Sequence, residues 1–165
     1  EGLAGRILRN FDLKEVDTAL VISSSGCNVV PIEMAEEFHK KKIKVVALIT
    51  KGHSEVSTSK RKDGKKLSDF ADLILDTGAP VGDAMVKIPN LETPVGPGSS
   101  VGGVLLINCI KVELARLLTA AGQPPKVLSA AVVVGADKAT ELFESAYDEH
   151  AHRLSGLYRN VGQPT

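Results

Sequence analysis

The chain has 165 residues, 43% of them hydrophobic and 24% charged, with equal numbers of acidic and basic side chains. That composition suits a core-forming domain of ordinary size and excludes a disordered tail. The zero net charge gives no general reason for nucleic acid or an anionic membrane as a partner, and no apolar run approaches the roughly 20 residues of a membrane span. Two cysteines, Cys27 and Cys109, make no disulfide framework, and a reducing cytoplasm is the expected location.

Leu3, Ile7, Leu8 and Phe11 share one helical face, so residues 2–11 read as a short helix. Thr18–Ser23 is an apolar run rich in β-formers and reads as a strand buried on both faces. After a Ser/Gly segment, residues 29–42 read as a helix. Pro31 sits in its first turn, where the missing N–H is harmless, and Lys40–Lys42 at its end match the helix dipole. Lys44–Thr50 reads as a second buried strand, 51–63 as a polar loop, 65–71 as a short helix and 71–76 as a third strand. A Gly/Pro loop at 77–83, a fourth strand at 84–88 and a second loop at 89–98 are expected next. Residues 99–121 read as a long helix, apolar nearly all round, with Gly122 at its C-terminus and Pro124-Pro125 barring continuation. Residues 126–134 read as a last strand and 137–155 as a closing polar helix. Alternating strands and helices predict an α/β fold with a parallel sheet covered by helices on both sides.

The segment Ser23-Ser24-Ser25-Gly26-Cys27-Asn28 carries the chemistry. A loop leaving a parallel strand and entering a helix presents unpaired N–H groups at the positive pole of the helix dipole, which favours anions. Three serines add donors without charge, and Gly26 permits a turn closed to other residues. Ligands of open α/β sheets also collect beyond the carboxyl ends of the strands. Ser and Asn are equally favoured as helix N-caps without any ligand, and composition alone leaves both readings open.

The order of motifs resembles the SIS (sugar isomerase) domain family, and within it the phosphoheptose-isomerase-like branch. The residues that carry the resemblance are Ala19–Ala35, Lys44–Thr50, His53-Ser54, Gly64–Asp76, Pro80–Ala84 and Val95–Val101. The resemblance implies a flavodoxin-like three-layer αβα sandwich that binds phosphosugars, as a homodimer or higher homo-oligomer, with no cofactor and no metal. Ser23, Ser25 and Gly26 match the family's phosphate loop, Ser24 lies within it, and Asn28 stands where a threonine is usual. The family also carries an earlier strand with a small-residue loop. None precedes Asp17, so the resemblance implies a single SIS domain over 1–165 that lacks its N-terminal helix and first strand.

Other candidates follow from position. Thr50 and Ser54 end or follow the second strand, on the ligand side of the sheet. His53 titrates near neutrality and is a candidate acid/base, or a solvated loop histidine. Asp83 is placed to bind sugar hydroxyls or to cap the next element, and Ser99 and Ser100 open the long helix. The basic run Lys60–Lys66 is either a steering patch or a solvated loop. Aldose–ketose isomerisation needs a base of raised pKa, and the resemblance assigns that role to a helical glutamate, here Glu113, with His150 or His152 from a partner subunit. Cys27 reads as a small filler residue. The function expected is sugar-phosphate binding, with either isomerase activity or a non-catalytic sensing role.

Overall fold

In the computed structural model, residues 1–158 are described. The chain forms two compact units, Glu1–Cys109 and Ile110–Thr165. The first holds a three-stranded parallel sheet in the order β1-β2-β3, with β1 at Thr18–Ile22, β2 at Lys44–Ile49 and β3 at Leu73–Asp76. Thr18 pairs with Lys44 and Ile22 with Leu48. On the other side of β2, Val46 pairs with Leu73 and Ile49 with Asp76. All three carboxyl ends therefore lie at one edge of the sheet, as the α/β reading requires.

Helix α2 (Val29–Lys40) covers one face, and α1 (Leu3–Leu8) packs against α2. Ile32, Ala35 and Phe38 recur at helical spacing on α2 and pack with Leu8, Ala19, Ile43, Val45, Ala47, Ile49 and Leu67 into the core. Leu67 belongs to a 3-10 turn, Leu67–Phe70, that closes this layer. Burying a side chain of this size contributes about 1.5–3 kcal/mol, so this face holds the unit together. The opposite face of β2 presents Leu48, also buried, towards the first turns of α4 (Gly98–Ala120), near Gly103. The close approach of α4 to the sheet is set by Gly102, where any Cβ would overlap the Thr77 carbonyl.

Only β2 is buried on both faces. Leu20 and Ile22 of β1 and Leu73 of β3 are exposed; they share the Val46 and Leu48 face, which among the described residues is approached by α4 near Leu48. The expectation of full burial therefore holds for the central strand alone. Along α4, Val101, Val104 and Leu105 are also exposed, so its apolar surface is not core within this unit.

Three further readings change. Residues 51–63 were expected to be loop, yet α3 forms at Lys51–Val56. Its start is held from a distance, by Asp76, whose carboxylate accepts the Lys51 N–H at 3.0 Å. The fourth strand, β4 (Ala84–Val86), does not join the parallel sheet. It pairs antiparallel with β5 (Val95–Pro97), inside the expected loop, because the chain turns back on itself through the intervening Pro89–Pro94 segment. No strand forms at 126–134. The run Ala131–Val134 makes one helical turn, α5, with Val132 and Val133 exposed, since β-formers stay in strands only where a partner strand receives them.

The second unit holds the end of α4, α5 and α6 (Ala136–Tyr158). Gly122, at φ 75°, ends α4, and the Gln123 N–H returns to the Leu118 carbonyl at 2.9 Å. Lys126 bridges to α6, donating to the Ser145 carbonyl at 2.9 Å. No described helix is long and apolar enough to cross a membrane.

Candidate functional site

The carboxyl end of β1 runs into Ser23–Asn28 and then into α2. The loop is tied down through its carbonyl groups. That of Ser24 accepts from Thr50 N–H at 2.8 Å, that of Gly26 from Leu67 N–H at 2.8 Å, and that of Cys27 from Lys60 N–H at 2.9 Å. The Ser23 carbonyl accepts from Gly26 N–H, the Ser25 carbonyl from the Cys27 thiol, and the Asn28 carbonyl from Ile32 N–H. Every carbonyl of the loop is therefore occupied by the protein.

The N–H groups are not. Among the described residues, those of Ser24, Ser25, Asn28, Val29 and Val30 have no protein acceptor. Asn28 is the N-cap of α2, but its side chain makes no capping bond to the first turn. At the start of a helix, where intrahelical acceptors are absent, a run of such N–H groups offers donors to an anion.

The serine hydroxyls add to these donors. Ser23 Oγ accepts from Gly26 N–H and Ser25 Oγ from Cys27 N–H, both at 3.2 Å. Each hydroxyl is engaged as an acceptor and keeps its own proton to donate. Gly26, at φ 64°, lies in the left-handed region, and a Cβ there would meet Ile49, Leu67 and Ser54 at 3.4 Å. The positive φ of the tight turn calls for glycine, while a lone Cβ would only reach van der Waals contact with the packing beneath.

Thr50 and Ser54 lie under the loop rather than in its mouth. Thr50 is fully buried, with its Oγ1 2.7 Å from Thr77 Oγ1, and Ser54 is almost fully buried. As placed, both brace the ends of the sheet and the loop. His53 Nδ1 accepts the Gly82 N–H at 3.2 Å, which leaves the proton of a neutral ring on Nε2. Asp83, at φ 70°, accepts from Ser99 N–H at 2.6 Å and from Ser99 Oγ at 2.8 Å, and its carbonyl accepts from Gly98 N–H. The cap role expected of Asp83 is thus occupied, and Ser99 is its partner; Ser100 is exposed.

The backbone and side-chain bonds from Ser99 hold the Asp83 carboxyl below the ordinary aspartate value of 3.8. A depressed folded pKa stabilises the fold above the unfolded value, and the contribution is lost as pH falls through the folded one. Replacing Asp83 with alanine is expected to cost about 1 kcal/mol, a usual N-cap loss, at pH 7. The gap between the two melting curves should shrink below pH 4, and equal melting at pH 7 would contradict the cap.

Glu113 lies in the second unit, exposed, with both carboxylate oxygens on Arg116 at 2.8 and 2.6 Å. That contact lowers its pKa, whereas the base role calls for a raised one. His150 and His152 are exposed on α6. Cys27 is buried, its thiol donating to the Ser25 carbonyl, in keeping with a filler.

Sequence reasoning missed Asp76 and the contact that Lys60 makes with Asn28. Asp76 accepts from Lys51 N–H and Gly78 N–H, both at 3.0 Å, and these bonds lower its pKa. Lys60, within the basic run, bonds to Asn28 Oδ1 at 2.8 Å. The Lys51–Asp76 and Lys60–Asn28 bonds join residues 25 and 32 apart in sequence, so no local pattern announces them.

Residues 1–50 match the SIS domain family. The chain is 42% identical over 137 residues to a UPF0309 protein of Halalkalibacterium halodurans, covering 83% of this chain and 57% of that one. It is 32% identical over 152 residues to a UPF0309 protein of Brucella canis, covering 92% and 62% respectively. A UPF0309 protein of Listeria innocua is 31% identical over 138 residues, covering 84% and 56%. The chain thus spans about three fifths of the length of these curated relatives, whose names state no substrate or reaction. With its parallel α/β sheet, its serine loop at the carboxyl edge and these matches, the chain belongs to the SIS-domain family.

Proposed function

We propose that the chain binds a sugar phosphate, with the phosphoryl group held by the loop Ser23–Asn28. The observation that carries this reading is the loop's polarity: its carbonyls are all bonded within the protein, while the N–H groups of Ser24, Ser25, Asn28, Val29 and Val30 have no acceptor among the described residues. A phosphoryl group offers several acceptor oxygens and negative charge, which such a donor set and the α2 dipole complement. The hydroxyls of Ser23, Ser24 and Ser25 add donors of the same sense. The SIS-domain membership supports the sugar half of the ligand.

Binding is proposed ahead of isomerase catalysis. Glu113 is paired with Arg116 and its pKa is lowered. His53 sits in the same compact unit as the loop and keeps Nε2 for a ligand, but the carboxylate nearest to it in charge, Asp83, is held below its ordinary pKa by Ser99. Titration calorimetry with hexose 6-phosphates, heptose 7-phosphates and unphosphorylated hexose tests the reading. The phosphorylated sugars should bind at least about tenfold more tightly than the free sugar, the return of one charge-assisted contact of about 1.4 kcal/mol or more. Equal affinity for both classes, or binding of neither, would refute it.

A further inference from the structure

We propose that the turn Pro80–Asp83 is a proton-responsive clamp between α3 and α4: neutral His53 holds it through Gly82, and a proton on His53 releases Gly82 and draws Asp83 off the start of α4. The turn is gripped from both sides. From α3, His53 Nδ1 accepts the Gly82 N–H at 3.2 Å. From α4, Ser99 donates its N–H and its hydroxyl to the Asp83 carboxylate at 2.6 and 2.8 Å, and Gly98 N–H donates to the Asp83 carbonyl at 2.8 Å. Between the two grips, Gly82 and Asp83 both lie in the left-handed region, at φ 85° and 70°. Two such residues in succession, the second not a glycine, persist only where surrounding contacts hold them.

The grip from α3 exists in one protonation state. A neutral imidazole has a single acceptor nitrogen, and Gly82 occupies it; an imidazolium has two donors and no acceptor. A proton added at Nδ1 therefore removes the Gly82 contact and puts an N–H donor where an acceptor stood. The bonds from Ser99, and after them the charge of His53, hold the Asp83 carboxyl below its ordinary value, so the new donor has an anionic acceptor within its reach. The other charged groups around α3 are engaged or turned away. Asp76 of β3 accepts from Lys51 N–H and Gly78 N–H, and Lys66 donates to the Ser54 and Glu55 carbonyls at 2.6 and 3.4 Å. The side chains of Lys51 and Glu55, on α3 itself, are exposed. The start of α4 is packed on the same loop: a Cβ at Gly98 would meet Ala79 and Met85 at 3.0 Å, and Gly102 lies against the Thr77 carbonyl. The helix is thus held in place, and what the proton changes is the capping of its first turn.

The test is a nuclear magnetic resonance titration of the full chain between about pH 8 and pH 5, where imidazole changes charge and carboxylates ordinarily do not. It compares the wild type with His53→Asn, whose Oδ1 accepts where Nδ1 does and carries no titrating proton. In the wild type, the amide signals of Gly82 and Ser99 should shift together, on the midpoint of the His53 ring signals. In His53→Asn both should stay near their high-pH wild-type positions throughout. A Gly82 amide that stays still while the His53 ring titrates would overturn the clamp, and so would a ring that does not titrate in this range. A Ser99 amide that stays still while Gly82 moves would overturn the link to α4. Shifts of Gly82 and Ser99 that persist in His53→Asn would assign the response to another group and overturn the role of His53.

Discussion

Replacing Ser23 and Ser25 together with alanine should weaken sugar-phosphate binding by roughly 100-fold while leaving the chain folded. Two hydrogen bonds to a charged group contribute about 1.5 kcal/mol each at the low end, and roughly 3 kcal/mol together corresponds to about that factor. The remaining N–H groups would keep residual binding. The fold should survive because each hydroxyl accepts only one long bond, from Gly26 and Cys27 at 3.2 Å, while the loop is held by backbone bonds to Thr50, Leu67 and Lys60. Calorimetry and thermal melting together check this. Unchanged affinity in a folded double variant would remove the hydroxyls from the site.

Gly26→Val should have the largest effect on the fold of any single change in the loop. A β-branched residue at φ 64° carries strain of about 1–3 kcal/mol. Its Cβ would already touch Ile49, Leu67 and Ser54 at 3.4 Å, so the two further methyls press into buried side chains at a cost of about 1–3 kcal/mol more. The loop would have to lift, breaking the bond from Leu67 N–H to the Gly26 carbonyl and turning the donor N–H groups out of register. A urea midpoint well below wild type is expected, with no measurable phosphate binding. Gly26→Ala, free of the extra methyls, should fall between the two. A valine variant with wild-type midpoint and affinity would contradict the packing described.

These effects meet at the loop because the fold is organised around it, and part of that organisation is legible in the sequence. The runs read at 18–23, 44–50 and 71–76 announce the three strands, which form at 18–22, 44–49 and 73–76. Pro31 and the Lys40–Lys42 run frame α2, and the stop at Gly122 gives the end of α4. Position alone also puts Ser23–Asn28 at the carboxyl edge of the sheet. What is not legible depends on contacts between distant residues. Asp76 caps α3 from β3, Asp83 caps α4 across the β4–β5 hairpin, and Lys60 holds Asn28. None of these pairs has a spacing that hydrophobic periodicity or turn chemistry reads.

The same limit applies to the candidate site residues. Thr50 and Ser54 were placed on the ligand side of the sheet by their chain position, and they lie there, but side-chain burial is a property of packing. Thr50 turns to Thr77 and Ser54 lies beneath Gly26. Glu113 was singled out as a helical glutamate among apolar residues. Its i,i+3 partner Arg116 is equally visible in the sequence, and that pair is an ordinary exposed helix contact. The apolar run 126–134 failed as a strand for a related reason, since β-propensity records a fit to neighbours that this segment does not have.

The central claim is that the N–H groups around the start of α2 receive the phosphoryl group. The measurement that tests it most directly is a nitrogen-15 amide titration with a hexose 6-phosphate, repeated with inorganic phosphate. The account predicts that the amide signals of Ser24, Ser25, Asn28, Val29 and Val30 move furthest and together, following one binding curve with each probe. Saturable shifts that leave these five amides in place and cluster elsewhere on the chain, or no saturable shift at all, would contradict it.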